Sequence, residues 1–188
     1  MGESQPIRDK KKLKEYMDYL KLCREEKFYI MFLIGIQSGL RVSDILELKT
    51  SDIENMSSRK IKEKKTGKRR FLYLDDEVVG ILKDYCERHH LGADDYLIYS
   101  RKHGEDSTRP IKRQRAHSVL SEAGRLCGLN NIGTHTMRKT FGYHYYKHTN
   151  DLTKLMYIFN HSSQAITLRY IVMLDDDIRQ SLVGFKLY

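Results

Sequence analysis

The sequence predicts a mainly α-helical α+β domain that carries one small antiparallel β-hairpin. Three observations lead there. Apolar residues recur at helical spacing along most of the 188 residues; a Lys-Thr-Gly-Lys turn at 65–68 separates two short basic arms; and only Pro6 and Pro110 interrupt the chain. With 40% hydrophobic and 31% charged residues the composition is that of an ordinary globular protein, not of a disordered, collagen-like or membrane chain. The apolar run from Phe28 to Ile36 is far too short to span a bilayer.

The elements follow in order. Asp9 is placed to cap a helix through Leu22, with Leu13, Tyr16, Met17 and Leu20 on one face. Lys27–Gln37 is apolar all round, which predicts a core helix ended by Gly39. Ser43 is expected to cap a short helix carrying Ile45, Leu46 and Leu48, and Thr50-Ser51-Asp52 to break it. Lys60–Lys65 and Arg69–Leu74 are the hairpin arms. Asp75 and Asp76 start a helix through Arg88, with Val78, Ile81, Leu82 and Tyr85 on its apolar face. Residues 92–110 are expected to form a loop with a strand-like Tyr96–Tyr99, followed by a helix over Lys112–Cys127 with Gly128 at its end. Further helices are predicted at Thr136–Lys147, Leu152–Phe159, Ser163–Val172 and Asp175–Val183. Residues 1–8 read as a polar leader and 9–188 as a single domain.

The formal charge of +9 is unevenly distributed. Residues 58–70 hold eight Lys or Arg against Glu63, and residues 101–115 hold six against Glu105 and Asp106, so the remainder is slightly negative. Two basic segments on a near-neutral body fit either solvated loops or a polyanion partner, because Lys and Arg contacts to phosphates release counterions. Cys23, Cys86 and Cys127 are widely spaced and form no CxxC pair, which supports neither a zinc site nor a disulfide framework and suits a reducing cytoplasm.

Four local patterns carry chemistry. Arg41 follows the helix-ending Gly39 next to a helix N-terminus, where it can bind a phosphate oxygen or pair with Asp44 or Glu47. His135 and Arg138, at i and i+3, share a helix face. Asn160-His161-Ser162-Ser163 is capping sequence, so His161 is expected to precede the helix that carries Tyr170, and the two side chains can converge. Lys65 lies at the hairpin tip, though Lys62, Lys64 and Lys68 could make the same kind of contact.

Together the patterns resemble the signature of the tyrosine recombinases, the phage integrase family. Gln37–Leu48, with Gly39-Leu40-Arg41-Val42-Ser43-Asp44 at its centre, is similar to that family's first Arg box. Ile132–Phe141, with His135-x-x-Arg138, is similar to its His-x-x-Arg box, and Phe159-Asn160-His161 followed by Thr167-x-x-Tyr170 to its terminal box. The resemblance covers about residues 9–185. It implies that Tyr170 is the nucleophile forming a 3′-phosphotyrosyl ester and that Arg41 and Arg138 hold the non-bridging oxygens. It further implies that Lys65 protonates the departing 5′-oxygen, His135 is the acid/base partner, His161 hydrogen-bonds the phosphate and Asp44 orients the surroundings of Arg41.

As contacts to double-stranded DNA, Lys62, Lys64, Lys68 and Arg69 of the hairpin and Arg113 of the second basic segment are expected. No metal, ATP or other cofactor is implied, and no membrane. The family pattern implies a tetramer on synapsed DNA, a monomer in free solution, and a C-terminal segment, 174–188, that docks on a neighbouring subunit. The family's N-terminal core-binding domain is expected to be absent. The chain departs from the pattern at Asn160, where the family usually has Gly; Asn tolerates left-handed backbone angles, so the turn is expected to persist. A non-catalytic DNA-binding regulator and a relaxing type IB topoisomerase are the alternatives, and a metal-dependent nuclease a third.

Overall fold

A computed structural model describes residues 3–53, 59–62, 67, 69–100, 108–171, 182–183 and 185–186, with 59–62 and 69–72 described by their backbone. The chain builds helices α1 (Lys10–Cys23), α2 (Glu26–Ser38), α3 (Val42–Ile45), α4 (Thr50–Ile53), α5 (Asp76–Arg88), α6 (Arg113–Leu126), α7 (Thr136–Thr149), α8 (Leu152–Phe159) and α9 (Gln164–Ile171). Strands β1 (Arg59–Lys62) and β2 (Arg69–Leu72) form the expected antiparallel hairpin, with Lys62 opposite Arg69, and Gly67 has a positive φ of 66°, open to glycine at no steric cost. The fold is therefore the α+β class the sequence predicts.

The core forms around α2, whose residues Phe28 through Gly35 are all buried. An all-apolar helix has no solvent face to keep, so other helices surround it. Tyr16 of α1 meets Phe32 edge-on and donates its hydroxyl to Leu120 O of α6 at 2.9 Å. Across from α1, Gly35 lets α7 approach until Met137 Cβ stands 2.6 Å from where a glycine Cβ would be. A second, smaller cluster lies beyond α7: Leu155, Phe159 and Ile171, with Phe141, Tyr145, Tyr146, Ile158 and Tyr170 packed against it.

Side chains cap the helix starts at Asp9 and Asp75, where the sequence predicts them. Asp9 accepts from the Lys11 and Lys12 amides, and Asp75 from that of Val78. Asn160 adopts the left-handed conformation, with φ 52° and ψ 42°. Ser43 does not cap α3; Arg41 holds that position with its backbone, and Ser43 sits inside the helix. Thr50–Ile53 is a turn of helix rather than a break, because Asp52 accepts from the Lys49 amide and closes it. Within 92–110 a second antiparallel pair was not foreseen, β3 (Tyr99–Ser100) with β4 (Arg109–Pro110), since two-residue strands carry no readable period. The expected helix at 175–183 lies almost wholly outside the described residues.

Residues 3–7, part of the expected polar leader, pack on the domain as a strap. Ile7 is 3% exposed, its amide donates to Thr140 Oγ1 at 2.9 Å, and its carbonyl meets His144 Nε2 at 3.0 Å. Gln5 N donates to Asn131 O at 3.0 Å. Among the described residues, no helix is long and apolar enough to cross a membrane.

Candidate active site

Tyr170 lies near the end of α9, and its ring stacks edge-on against Phe159 (5.4 Å between centroids) and His161 (5.2 Å). The Asn160 turn puts His161 ahead of α9, so the two side chains converge although nine residues separate them. His161 is oriented by Thr167: that hydroxyl donates to Ser163 O, leaving its oxygen to accept from His161 Nδ1 at 3.1 Å.

Arg138 is 2% exposed. It donates to Gly39 O at 2.5 Å and to Phe159 O at 2.7 Å, with its guanidinium 4.2 Å over the Phe159 ring. Both acceptors are carbonyls near helix C-terminal ends, where backbone groups lack intrahelical donors and the dipole favours a cation. The left-handed turns at Gly39 and Asn160 therefore aim two helix ends at one guanidinium. Arg138 joins α2, α7 and α8 and lies 5.9 Å from the Tyr170 ring centroid.

His135, at the N-cap of α7, meets Tyr170 Oη with Nδ1 at 3.3 Å and Arg113 Nη2 with Nε2 at 3.3 Å. Arginine can only donate, so Nε2 accepts; the ring proton is then on Nδ1, which donates to the phenol oxygen. Burial first, then the charges of Arg113, Lys139, Arg138 and Arg41, hold the His135 pKa below its ordinary value, so the ring is neutral at pH 7. Burial pushes the Tyr170 phenol up; the charges of Arg138 and Arg41 and an Arg138 hydrogen bond pull against it. Arg41 is half-buried, and Asp44, 7% exposed, lies one turn away on α3.

Of the residues picked out in the sequence, Arg41, His135, Arg138, His161 and Tyr170 thus come from separate stretches of chain to one place. Lys64, Lys65 and Lys68 lie outside the described residues; Lys62 and Arg69 are placed as a cross-strand backbone pair. Arg113, chosen as a DNA contact, is at the site itself, against His135. Lys139 was missed. It is buried and stands 5.4 Å from the Tyr170 ring centroid. Its signal was available, because it follows His135 by four residues and so shares that helix face.

The profile of the phage integrase family matches residues 8–176. The chain belongs to that family. Among phage integrase relatives, the probable integrase/recombinase YoeC of Bacillus subtilis (strain 168) is 40% identical over 181 residues, 96% of either chain. A tyrosine recombinase XerC of Staphylococcus epidermidis is 28% identical over 148 residues, 76% of this chain but 48% of its own, so this chain spans about half of it. The Tn1549 transposon integrase, solved with transposon right end DNA, shares the fold with a TM-score of 0.68 at 16% identity, over 98% of this chain and 67% of that one. Within the phage integrase fold, the site described here lies where α7 meets α8 and α9.

Proposed function

We propose that residues 9–188 cut and rejoin DNA strands through a covalent tyrosine intermediate, as a site-specific recombinase. The observation that carries this reading is the contact of Tyr170 Oη with His135 inside a cluster of guanidinium groups. A phenol with an ordinary pKa of about 10 is protonated at pH 7 and needs cations and a base to attack. Tyr170 Oη attacks the scissile phosphorus; the Oη–P bond forms as the P–O5′ bond breaks. Arg41 and Arg138 hold the non-bridging oxygens and stabilise the charge that develops on them. His161 presents its Nε2 edge, opposite the Nδ1 anchored on Thr167. Lys65 delivers a proton to the leaving 5′-oxygen, and attack by a 5′-hydroxyl reverses the steps.

The Arg113–His135 contact adds an ordering to this reaction. With Nε2 accepting from Arg113, Nδ1 carries a proton and cannot take one from Tyr170. When Arg113 moves to a DNA phosphate, Nε2 is released, the proton can reside there, and Nδ1 becomes the base. Hairpin residues Lys62, Lys64, Lys68 and Arg69 serve as backbone contacts to double-stranded DNA. The exposed side chains of Leu182, Val183 and Phe185 support a C-terminal segment that docks on a neighbouring subunit in a tetramer on synapsed DNA.

A nicked suicide substrate tests the scheme. Protein should become covalently attached to a 3′-phosphate in the presence of EDTA, and Tyr170→Phe should abolish the adduct. An adduct that persists in Tyr170→Phe removes the nucleophile assignment; one that vanishes with EDTA favours a metal-dependent nuclease. Lys65→Ala should slow cleavage strongly and be rescued by a 5′-thiol leaving group, which needs little protonation.

A further inference from the structure

Lys139 is a buried ammonium that the reaction above does not use. Its side chain is 3% exposed, and Nζ lies 2.6 Å from Glu3 Oε1, while the Glu3 side chain is 73% exposed. A buried ammonium must keep an anionic or hydrogen-bonding partner, because its desolvation is otherwise uncompensated. Glu3 supplies that partner from the N-terminal strap. Ile7 and Gln5 anchor the strap to Thr140, His144 and Asn131, and Glu3 lies beyond them, so it can swing out while Ile7 stays in place.

The surroundings of Glu3 are those of a phosphate. Lys139 foremost, then Arg169 and His135, draw its carboxyl below the ordinary carboxylate range, and Glu3 in turn raises the Tyr170 phenol. A carboxylate therefore stands within electrostatic reach of the nucleophile, its base and a buried cation.

We propose that Glu3 is an internal stand-in for a DNA backbone phosphate: it latches Lys139 in the DNA-free protein, and a phosphate of the bound strand displaces it and takes Lys139 as a ligand. The inference rests on the DNA reaction proposed above and deepens it with a phosphate subsite and a latch. The exchange leaves the buried ammonium paired throughout. One monoanion replaces another at Lys139, so the charge beside Tyr170 is conserved and the exchange acts on binding.

The test measures binding of a fluorescein-labelled duplex in a Tyr170→Phe background, which separates the latch from the chemistry. Glu3→Gln should tighten binding about three- to tenfold, the exchange of one ion pair. It should also steepen the dependence of log K on log salt by about one, because Lys139 now meets DNA with its own counterion. Lys139→Met should weaken binding, and Glu3→Gln should then have no effect. A purely structural pair predicts the opposite, unchanged or weaker binding in Glu3→Gln, and that result overturns the latch.

If Glu3→Gln lowers the melting temperature too far to interpret, carboxyl carbon NMR of Glu3 in the Tyr170→Phe protein decides. Its pKa should move up toward the ordinary value when the unlabelled duplex is added, and a pKa that stays low in the complex overturns the proposal. No duplex binding by the parent protein defeats the function proposed above. Binding and adduct formation with no response to Glu3→Gln defeat only the latch.

Discussion

The site is divided between two packings of unequal size. Arg41, His135 and Arg138 stand on the main core, in which α2 is enclosed by α1, α6 and α7. Tyr170 and His161 stand on the smaller layer of α8 and α9, whose fully buried apolar residues among those described are Leu155, Phe159 and Ile171. The proposed phosphate-binding cations thus belong to the stable part, and the proposed nucleophile to a part with little buried area of its own. Local opening follows burial, so α9 can loosen without disturbing α2. Arg138 is where the two parts meet, one N–H on Gly39 O and another on Phe159 O.

The largest effect is expected from breaking that joint. Lysine cannot span two carbonyls as a guanidinium does, so Arg138→Lys leaves a buried carbonyl without its donor. Stability should fall by about 3 kcal/mol, and cleavage by about 10²-fold or more through the lost phosphate contact. Urea unfolding and suicide-substrate kinetics measure the two. An unchanged unfolding midpoint would show that Arg138 serves the phosphate alone and that the two packings are joined elsewhere.

Two glycines, Gly35 on α2 and Gly142 on α7, separate the parts more sharply. A Cβ on Gly35 would meet Met137 at 2.6 Å, inside the main core; one on Gly142 would meet Ile171 and Phe159 at 2.7 Å, inside the small layer. Overpacking of this kind costs about 1–3 kcal/mol, partly offset by the higher helix propensity of alanine. Gly35→Ala should reduce amide-exchange protection in α2 and α9 alike. Gly142→Ala should reduce it in α9 while α2 keeps its protection, with slower cleavage. Equal loss in both helices for Gly142→Ala would mean that the layers unfold as one.

The main core was legible in the sequence and its join to the small layer only partly so. An all-apolar run such as Phe28–Gly35 declares a central helix, and Asp75 or Asn160 announces a helix end by its own chemistry. The residues that converge in the candidate site stood out by type and spacing, because the proposed reaction at phosphate draws on few kinds of side chain. What the sequence could not express were contacts without a period. The pairing of Tyr99 with Pro110, the strap through Ile7 and the seat of Lys139 on Glu3 each join distant segments through one or two residues. Arg113 was read from its charge, which placed it on DNA; its contact with His135 depends on α6 starting where it faces the N-terminus of α7.

That contact carries the smallest effect, a shift in a pH profile. In the folded protein the His135 pKa lies below its ordinary value of 6.5, from burial and four neighbouring cations. Cleavage that requires the neutral ring is full above that pKa and fades as pH falls through it, so the acid limb of kcat/KM lies below pH 6.5. Arg113→Ala removes one of the cations, the histidine takes up its proton more readily, and the limb moves to higher pH. The move is upward but incomplete, because burial and the charges of Lys139, Arg138 and Arg41 remain. Loss of a DNA contact alone would raise KM and leave the limb in place, so a profile that does not move assigns Arg113 to DNA and detaches it from His135. If the limb moves while Tyr170 still forms its adduct, cations carried by the main core set the protonation of the proposed base, and the proposed nucleophile alone is left to the looser layer.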